Sequence, residues 1–593
     1  MTLRSPIALT LLLSTLLAAC GGGTTDDRTA PLAQGAPAVS TAAGVEIDPG
    51  GATSADTGGT SAVRMGATAA AVPSKPVTPV EASRFLAQAS FGPTIATINS
   101  VAASGPAAWV ERQLTLPQAS HLAYLDARPM PAYTPLSVNQ FLESFWKQAR
   151  LGEDQLRQRM AFALSQIFVI SFADGNIYNH ARGVANYYDL LGKHAFGNFR
   201  DLLQAVATNP MMGVYLTYMH NQKEAGERMP DENFAREIMQ LMTIGLHQLN
   251  PDGSLYLRNG QPVETYTHDD VAGLAKVFTG WSWWGPDQSA LRFFGTNGHV
   301  DQEVRTMQNY ARYHSTSPKR FLGVTLGGGD SAEAEMKVAL DTLFNHPNVG
   351  PFIGRQLIQR LVTSNPSTGY VVRVSAAFAN NGSGVRGDMK AVIRAILLDP
   401  EARNVGSNAK LREPILRLAN WMRAFNAKSD SGYFRSEPME DPLSNIGQTV
   451  LRPPSVFNFY RPSYTPPNSA LSAAGQVAPE MQIASEPQVT GYLNAMQTTV
   501  QAGFGRYNDI KPDYTAEAAL VLDPPALVER LNLLLLNGAM STQLRNQITA
   551  AVNAVVIEDP RPWNGTVIAK AKRNRVYLAV FLAMASPEYL VLK

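Results

Sequence analysis

Three titratable side chains stand in patterns that could do chemistry: Glu237, Asp270 and His314. Glu237 closes the run Asp231-Glu232-Asn233-Phe234-Ala235-Arg236-Glu237, the densest polar cluster in otherwise apolar surroundings. On a helix Asn233 and Glu237 are four residues apart and share a face, with Arg236 about 100° round from Glu237. Further on, Tyr266-Thr267-His268-Asp269-Asp270-Val271 enters another predicted helix, and Tyr313-His314 follows shortly before Lys319. If these segments converge on one cleft, Glu237 and Asp270 are the acid–base carboxylates and His314 is a proton shuttle or ligand. Asn233, Arg236, His268 and Lys319 would then orient them or bind an anionic group. The same residue types can bind a divalent metal. A structural reading stands beside this one: Asn233, Arg236 and Glu237 as a salt-bridge and hydrogen-bond network, with Asp269 and Asp270 as helix caps. The residues alone leave both open.

Other signals are weaker. The sequence has no HExxH, no GxSxG, no Walker loop and no GxGxxG opening a helix after a strand, so no cofactor is assigned. Gly327-Gly328-Gly329-Asp330 lacks the lysine and the preceding strand that a phosphate loop needs. Trp281-Ser282-Trp283-Trp284 could stack on sugar rings, but burial against neighbouring segments is the more ordinary use of such a cluster. The remaining histidines, His346 before Pro347 among them, read as packing residues.

The elements that must position these groups are helices. Apolar residues recur every three or four positions over 138–150, 154–172, 181–208, 231–246, 268–279, 332–361, 367–380, 387–398 and 409–426. Phe234, Ile238, Leu241 and Ile244 make one such stripe, with Asp231 as a candidate cap and Gly245 as a stop. Between helices, 249–267 holds Asp252-Gly253 and Asn259-Gly260 turn pairs, which predict a small hairpin. The aromatic stretch 277–294 is read as short strands or an aromatic wall. Residues 428–480 are rich in Pro and Ser yet carry Phe434, Phe457, Phe459, Tyr460 and Tyr464, so they are expected to pack on the body. The expected fold is mainly α: a large multi-helical body, 81–590, with a small β-hairpin insertion.

The 593 residues are 45% hydrophobic and 17% charged, which excludes whole-chain disorder. Fifty Lys and Arg against 48 Asp and Glu give no electrostatic case for nucleic acid as a partner. With one cysteine there is no intrachain disulfide and no Cys-based zinc site. That cysteine is Cys20, at the end of MTLRSPIALTLLLSTLLAAC. Arg4 supplies a positive start, 7–17 is apolar over the length of a signal-peptide core, and Leu17-Ala18-Ala19 places small residues before the thiol. This resembles the bacterial lipoprotein box. It predicts a signal peptide over 1–19 and an acylated Cys20 that anchors the chain to a membrane. Gly21 in place of Asp favours, by the same resemblance, the outer membrane, with a periplasmic or surface-facing body. Residues 20–80, largely Gly, Ala, Thr, Ser and Pro, read as a disordered tether with an r.m.s. reach of about 40 Å.

A set of ordered motifs gives a wider resemblance. They include Arg84-Phe85-Leu86 with Gln88-Ala89-Ser90-Phe91-Gly92-Pro93-Thr94, then Phe196-Gly197-Asn198-Phe199-Arg200-Asp201-Leu202-Leu203 and Asn209-Pro210-Met211. Glu232 to Glu237, Tyr266-Thr267 with Asp270-Val271, and Phe278-Thr279-Gly280-Trp281 follow, then His314, Lys319, His346-Pro347 and Lys410 with Glu413-Pro414. In this the chain resembles the bacterial domain-of-unknown-function family 1800 (DUF1800). The resemblance carries no established activity. It implies polar motif positions at Asn233, Arg236, Glu237, Thr267, Asp270, His314 and Lys319. Many members continue the Arg-Glu motif with Glu-Leu-His, where this chain has Gln240-Leu241-Met242, and carry Asp where it has Ser315. A metal site built on those groups would lack ligands here, and the metal stays unassigned. Members often neighbour a sulfatase-like family, which implies a shared extracytoplasmic process. The expected function is an envelope lipoprotein acting on or handling an extracellular polymer through the carboxylate, His and Arg cluster. The rival is a non-catalytic envelope assembly or binding protein, with a protein partner such as that sulfatase-like neighbour and with the polar cluster structural.

Overall fold

Helix starts are written into the sequence by side chains that cap them. Thr78 and Glu81 exchange hydrogen bonds in a capping box that opens the helix Pro79–Ala89, and Ser137 with Gln140 does the same for Val138–Leu151. The computed structural model describes residues 75–132, 134–404 and 409–593. The predicted signal peptide, Cys20 and all of the tether before residue 75 lie outside them. The described residues belong to one compact unit. The fold is mainly α, with only short antiparallel strand pairs, as the periodicity predicts.

Three helices run through the centre. In Gln155–Ser165 every residue but Arg157 is buried, Val349–Leu361 is buried over most of its surface, and in Pro414–Ala424 only Leu416 is not buried. A helix apolar on one stripe packs at a surface; helices covered all round form the middle of a large body. Two long predicted helices are each divided. The stretch 181–208 becomes Ala181–His194 and Phe199–Ala207, broken at Ala195-Phe196-Gly197-Asn198, where Asn198 caps the second helix. The stretch 332–361 becomes Ala332–Asn345 and Val349–Leu361. His346 there is extended (φ −58°, ψ 135°), as the residue before a proline prefers. The stretch 409–426 begins as a strand, Lys410–Leu411, paired with Val591–Leu592, before the helix Pro414–Ala424.

The hairpin within 249–267 pairs Leu257 with Pro262 and Arg258 with Gln261. Asn259 and Gly260 both have positive φ, the type I′ turn that Asn-Gly favours. In 277–294, Trp281–Ser282 pairs with Gln308–Asn309, and the Phe293 ring stacks on Tyr313 at 3.9 Å. Trp281 and Trp283 are buried. Through 428–480 the chain is irregular apart from the strand Lys428–Ser429, the helix Ala470–Ala473 and the start of a 3-10 helix, Pro479–Ile483, and it buries Phe434, Met439, Ile446 and Tyr460.

One close approach positions the polar segments. The helix His268–Val277 packs on the strand Lys319–Phe321 and on the helices Asn233–Gln240 and Ala332–Asn345. At Gly273 a Cβ would stand 1.8 Å from the Arg320 carbonyl oxygen, so only glycine lets that strand lie against the helix.

Candidate functional site

The predicted site residues fall into three separate environments. The first is at the surface, on the helix Asn233–Gln240. Asp231 accepts hydrogen bonds from the Asn233 amide (2.8 Å) and the Thr217 hydroxyl (3.0 Å), and the Asn233 side chain donates to Thr217 (3.3 Å). Arg236 donates to Glu232 at 2.8 Å, and His268 Nδ1 lies 3.8 Å from the same carboxylate oxygen. Asn233 and His268 are exposed and Arg236 is half-buried. Glu237 turns inward from this group. Its Oε2 is buried without a hydrogen-bond partner among the described residues. Burial raises its pKa, with Arg236 pulling the other way. The Glu237 charge also adds, after burial and Asp174, to pushing the half-buried Tyr215 up to about 12.

The second environment is the start of the helix His268–Val277, which holds Asp270, expected as a catalytic carboxylate. Its Oδ2 accepts from the Thr267 amide and hydroxyl, both at 2.8 Å, and its Oδ1 from the Leu322 amide at 2.7 Å. Burial alone would raise its pKa, but the Thr267 and Leu322 hydrogen bonds and Arg320 together outweigh it and hold the carboxyl below the usual aspartate value. Asp270 is therefore the box partner of a capped helix. It also ties that helix to Leu322, which turns with φ +47° between the strands Lys319–Phe321 and Val324–Leu326.

The third is a closed ionic cluster that holds His314, expected as a proton shuttle or ligand, and Lys319, expected as a binding residue. His314 Nδ1 meets the Thr279 carbonyl at 2.9 Å and Nε2 meets Glu335 at 2.9 Å. Lys319 Nζ lies 2.7 Å and 2.9 Å from the two Glu335 oxygens and donates to the Ser315 carbonyl at 2.7 Å. Lys319 and the Glu335 side chain are fully buried. No substrate atom reaches such groups without displacing their partners. Ser315 donates to Glu224, and Met242 is core. Glu335 was not among the predicted residues. Its signal is position: on Ala332–Asn345 it sits on the stripe of Ala332, Met336, Ala339 and Leu340, where an acid has to be paired.

A site outside these groups has the form of a binding cleft. It encloses about 630 Å³. Leu246 and Leu255 are exposed at it, Phe352 and Phe457 form part of its walls, and Gln166, Gln356, Gln359 and Arg360 are the buried polar lining. Arg355 and Arg461 are exposed cations at the same cleft, and Gln240, one turn beyond Glu237, reaches it. None of the described residues lining it is Asp or Glu. Arg360 donates through Nη1 to the Gln356 carbonyl (3.2 Å) and through Nη2 to the Gln166 carbonyl (3.0 Å). Arg360 Nε and Gln356 Nε2 are buried with no partner among the described residues. Such donors are costly unless something accepts from them. Sequence reasoning missed them because the surrounding helices read as apolar stripes; the available sign was Gln356, Gln359 and Arg360 on a helix buried all round.

Among the described residues no three His, Cys, Asp or Glu side chains come together to hold a metal ion, and no helix is long and apolar enough to cross a membrane. No curated protein and no solved structure matches the chain. The model of one protein family, described as a protein of unknown function (DUF1800), matches residues 84–591, nearly the whole body, and the chain belongs to that family.

Proposed function

We propose that this protein is a binding protein of the cell envelope, tethered to the outer membrane through acylated Cys20, whose cleft takes an acidic amphiphile. The observation that carries the reading is the pair of buried donors without a partner among the described residues, Arg360 Nε and Gln356 Nε2, at a cleft whose described lining holds three arginines and no carboxylate. An anionic head accepts from the donors and meets the field of Arg355 and Arg461, while Leu246, Leu255, Phe352 and Phe457 cover an apolar tail. Asp270, His314 and Lys319 are bonded within the fold, which favours binding over catalysis for this region. The test is titration of the purified protein with a fluorescent long-chain carboxylic acid. Arg355→Ala, at an exposed residue, should weaken binding about tenfold, close to 1.4 kcal/mol, while Glu237→Gln leaves it unchanged. Equal affinity for the corresponding neutral alcohol would remove the anionic-head reading. Cys20→Ala should release the protein from the membrane fraction.

A second reading, handling of an acidic extracellular polymer, has its own observation. A cleft of about 730 Å³ is lined by Arg128, Arg435, Arg506, Tyr433 and Tyr507. The Arg128 guanidinium stacks 3.6 Å from the Tyr433 ring centre, and Tyr507 is 81% exposed. An exposed ring beside guanidinium groups suits a chain of acidic sugars. Tyr507→Ala should reduce retention on an immobilised polyuronate, and unchanged retention would count against this reading.

A further inference from the structure

Beneath the cleft the interior carries more positive charge than its carboxylates balance. Arg159, Arg360, Lys410, Arg412 and Arg417 are all buried, against the buried Glu413 and Glu480. Arg159 Nη2 (2.6 Å) and Lys410 Nζ (2.8 Å) both donate to the Arg360 carbonyl, so the group lies directly behind the cleft lining. Lys410 pairs with Glu480 at 2.9 Å. Glu413 accepts from Gln448 at 2.8 Å and also from Gln166. Burial raises the pKa of Glu480, which weakens the negative side further. Guanidinium groups do not shed their proton, so the excess cannot be removed that way.

Part of the excess is soothed by carbonyls and rings. Arg412 donates to the Leu535 carbonyl (2.9 Å) and to Asn537 (2.6 Å) and lies 4.8 Å from the Tyr589 ring centre. Arg417 donates to the Arg412 carbonyl (2.7 Å) and lies 4.8 Å from the Tyr492 ring centre. Arg159 is different: with 1% of its surface exposed, its Nε and Nη1 have no partner among the described residues, and neither has Arg412 Nε. Glu480 Oε2 is an acceptor of the same interior with no partner among the described residues. Arg159, Lys410 and Arg412 line one void together with Ser90, Gly92 and Asn420. It offers about 20 Å³ to the centre of a water-sized sphere. One such sphere needs roughly 10–15 Å³, so the void suits a single atom-sized guest and not a tetrahedral oxyanion.

We propose that this void is a binding site for a halide-sized monovalent anion, chloride in ordinary media, held by Arg159 and Arg412 with Lys410 beside them. The anion accepts from the orphan guanidinium N–H groups and neutralises charge that the two carboxylates leave over. It is distinct from the amphiphile cleft, with which it shares no lining residue, and stands whether or not that reading holds.

The test uses the purified full-length protein. Thermal unfolding is followed while sodium gluconate is replaced by sodium chloride at fixed ionic strength. An ion bound only by the folded state should raise Tm, by about 2 °C between low and high chloride. Arg159→Gln should abolish that dependence. Crystals of the unaltered protein grown with bromide should show an anomalous peak between Arg159 and Arg412, which decides the matter even if the variant fails to fold. A Tm indifferent to the exchange, or no bromide peak in the void and only water there, would overturn the proposal.

Discussion

Two buried ionic clusters in this molecule each set basic side chains against glutamates and end differently. Around Glu335, His314 and Lys319 meet both carboxylate oxygens, and the remaining donor capacity goes to the Thr279 and Ser315 carbonyls. Around Arg159 and Arg360, guanidinium nitrogens and an amide nitrogen have no acceptor among the described residues, beside a void and a cleft. A network closed on itself fixes one conformation and offers nothing to a ligand. A network with spare donors facing space holds binding capacity at the expense of stability. Of the residues that look most like chemistry in the sequence, His314 and Lys319 went into the closed kind.

The largest effect separating the two should come from opening the closed one. Glu335→Gln leaves Lys319 buried without its counter-charge, a loss of about 3–5 kcal/mol. Urea unfolding should show the midpoint falling accordingly. Pairing it with Lys319→Met should recover much of the loss, because the uncompensated charge is then gone. If Glu335→Gln unfolds at the wild-type urea concentration, the cluster is not the pin its geometry describes.

How far the sequence reached follows from what each signal encodes. Period and turn residues encode local geometry, so a helix about Asn233–Gln240 and the Asn259-Gly260 turn were legible, although the stripe ran that helix on to 246. The breaks at Asn198 and His346-Pro347 were written too, but periodicity on both sides hid them. What one sequence does not encode is which distant segment supplies the partner. His314 and Lys319 were visible as candidates, yet Glu335, which pairs with both, lies on a different helix and was hidden in an apolar stripe. Lys410 and Glu413 stood out only as pieces of a family resemblance, and the fold places both in the charged interior behind the cleft.

A middle-sized contrast lies between two carboxylates one helix apart. Asp270 has its pKa held down in the fold, so its bonds stabilise the protein above the unfolded value, near 4, and that contribution is lost as pH falls through the lower folded value. Glu237 has its pKa raised by burial, so the fold binds its proton more tightly than the unfolded chain does, and stability falls as pH rises from the unfolded value through the folded one. Asp270→Asn should therefore cost about 1 kcal/mol at pH 7, the scale of a lost cap. Glu237→Gln should instead stabilise at pH 7 and leave stability at pH 4 nearly unchanged. Unfolding midpoints at the two pH values distinguish them, and the same sign for both variants would contradict the assignment.

The smallest effect belongs to the surface group that the sequence made most conspicuous. Arg236 and Glu232 form a single ion pair four residues apart on the helix face, about two-fifths and one-third exposed. Water screens such a pair, and ordering two long side chains offsets most of what remains, so Arg236→Ala should shift stability by less than about 0.5 kcal/mol. Glu237 provides the sharper readout. Arg236 is the one charge identified as lowering its pKa, so removing the guanidinium should raise the Glu237 pKa further while leaving the unfolding midpoint near that of the unaltered protein. Carboxyl carbon chemical shifts followed by NMR across the titration would show it. A Glu237 titration unmoved by the loss of Arg236 would mean that burial alone sets its state, and the conspicuous Arg-Glu motif would then be two neighbours in sequence with separate work in the fold.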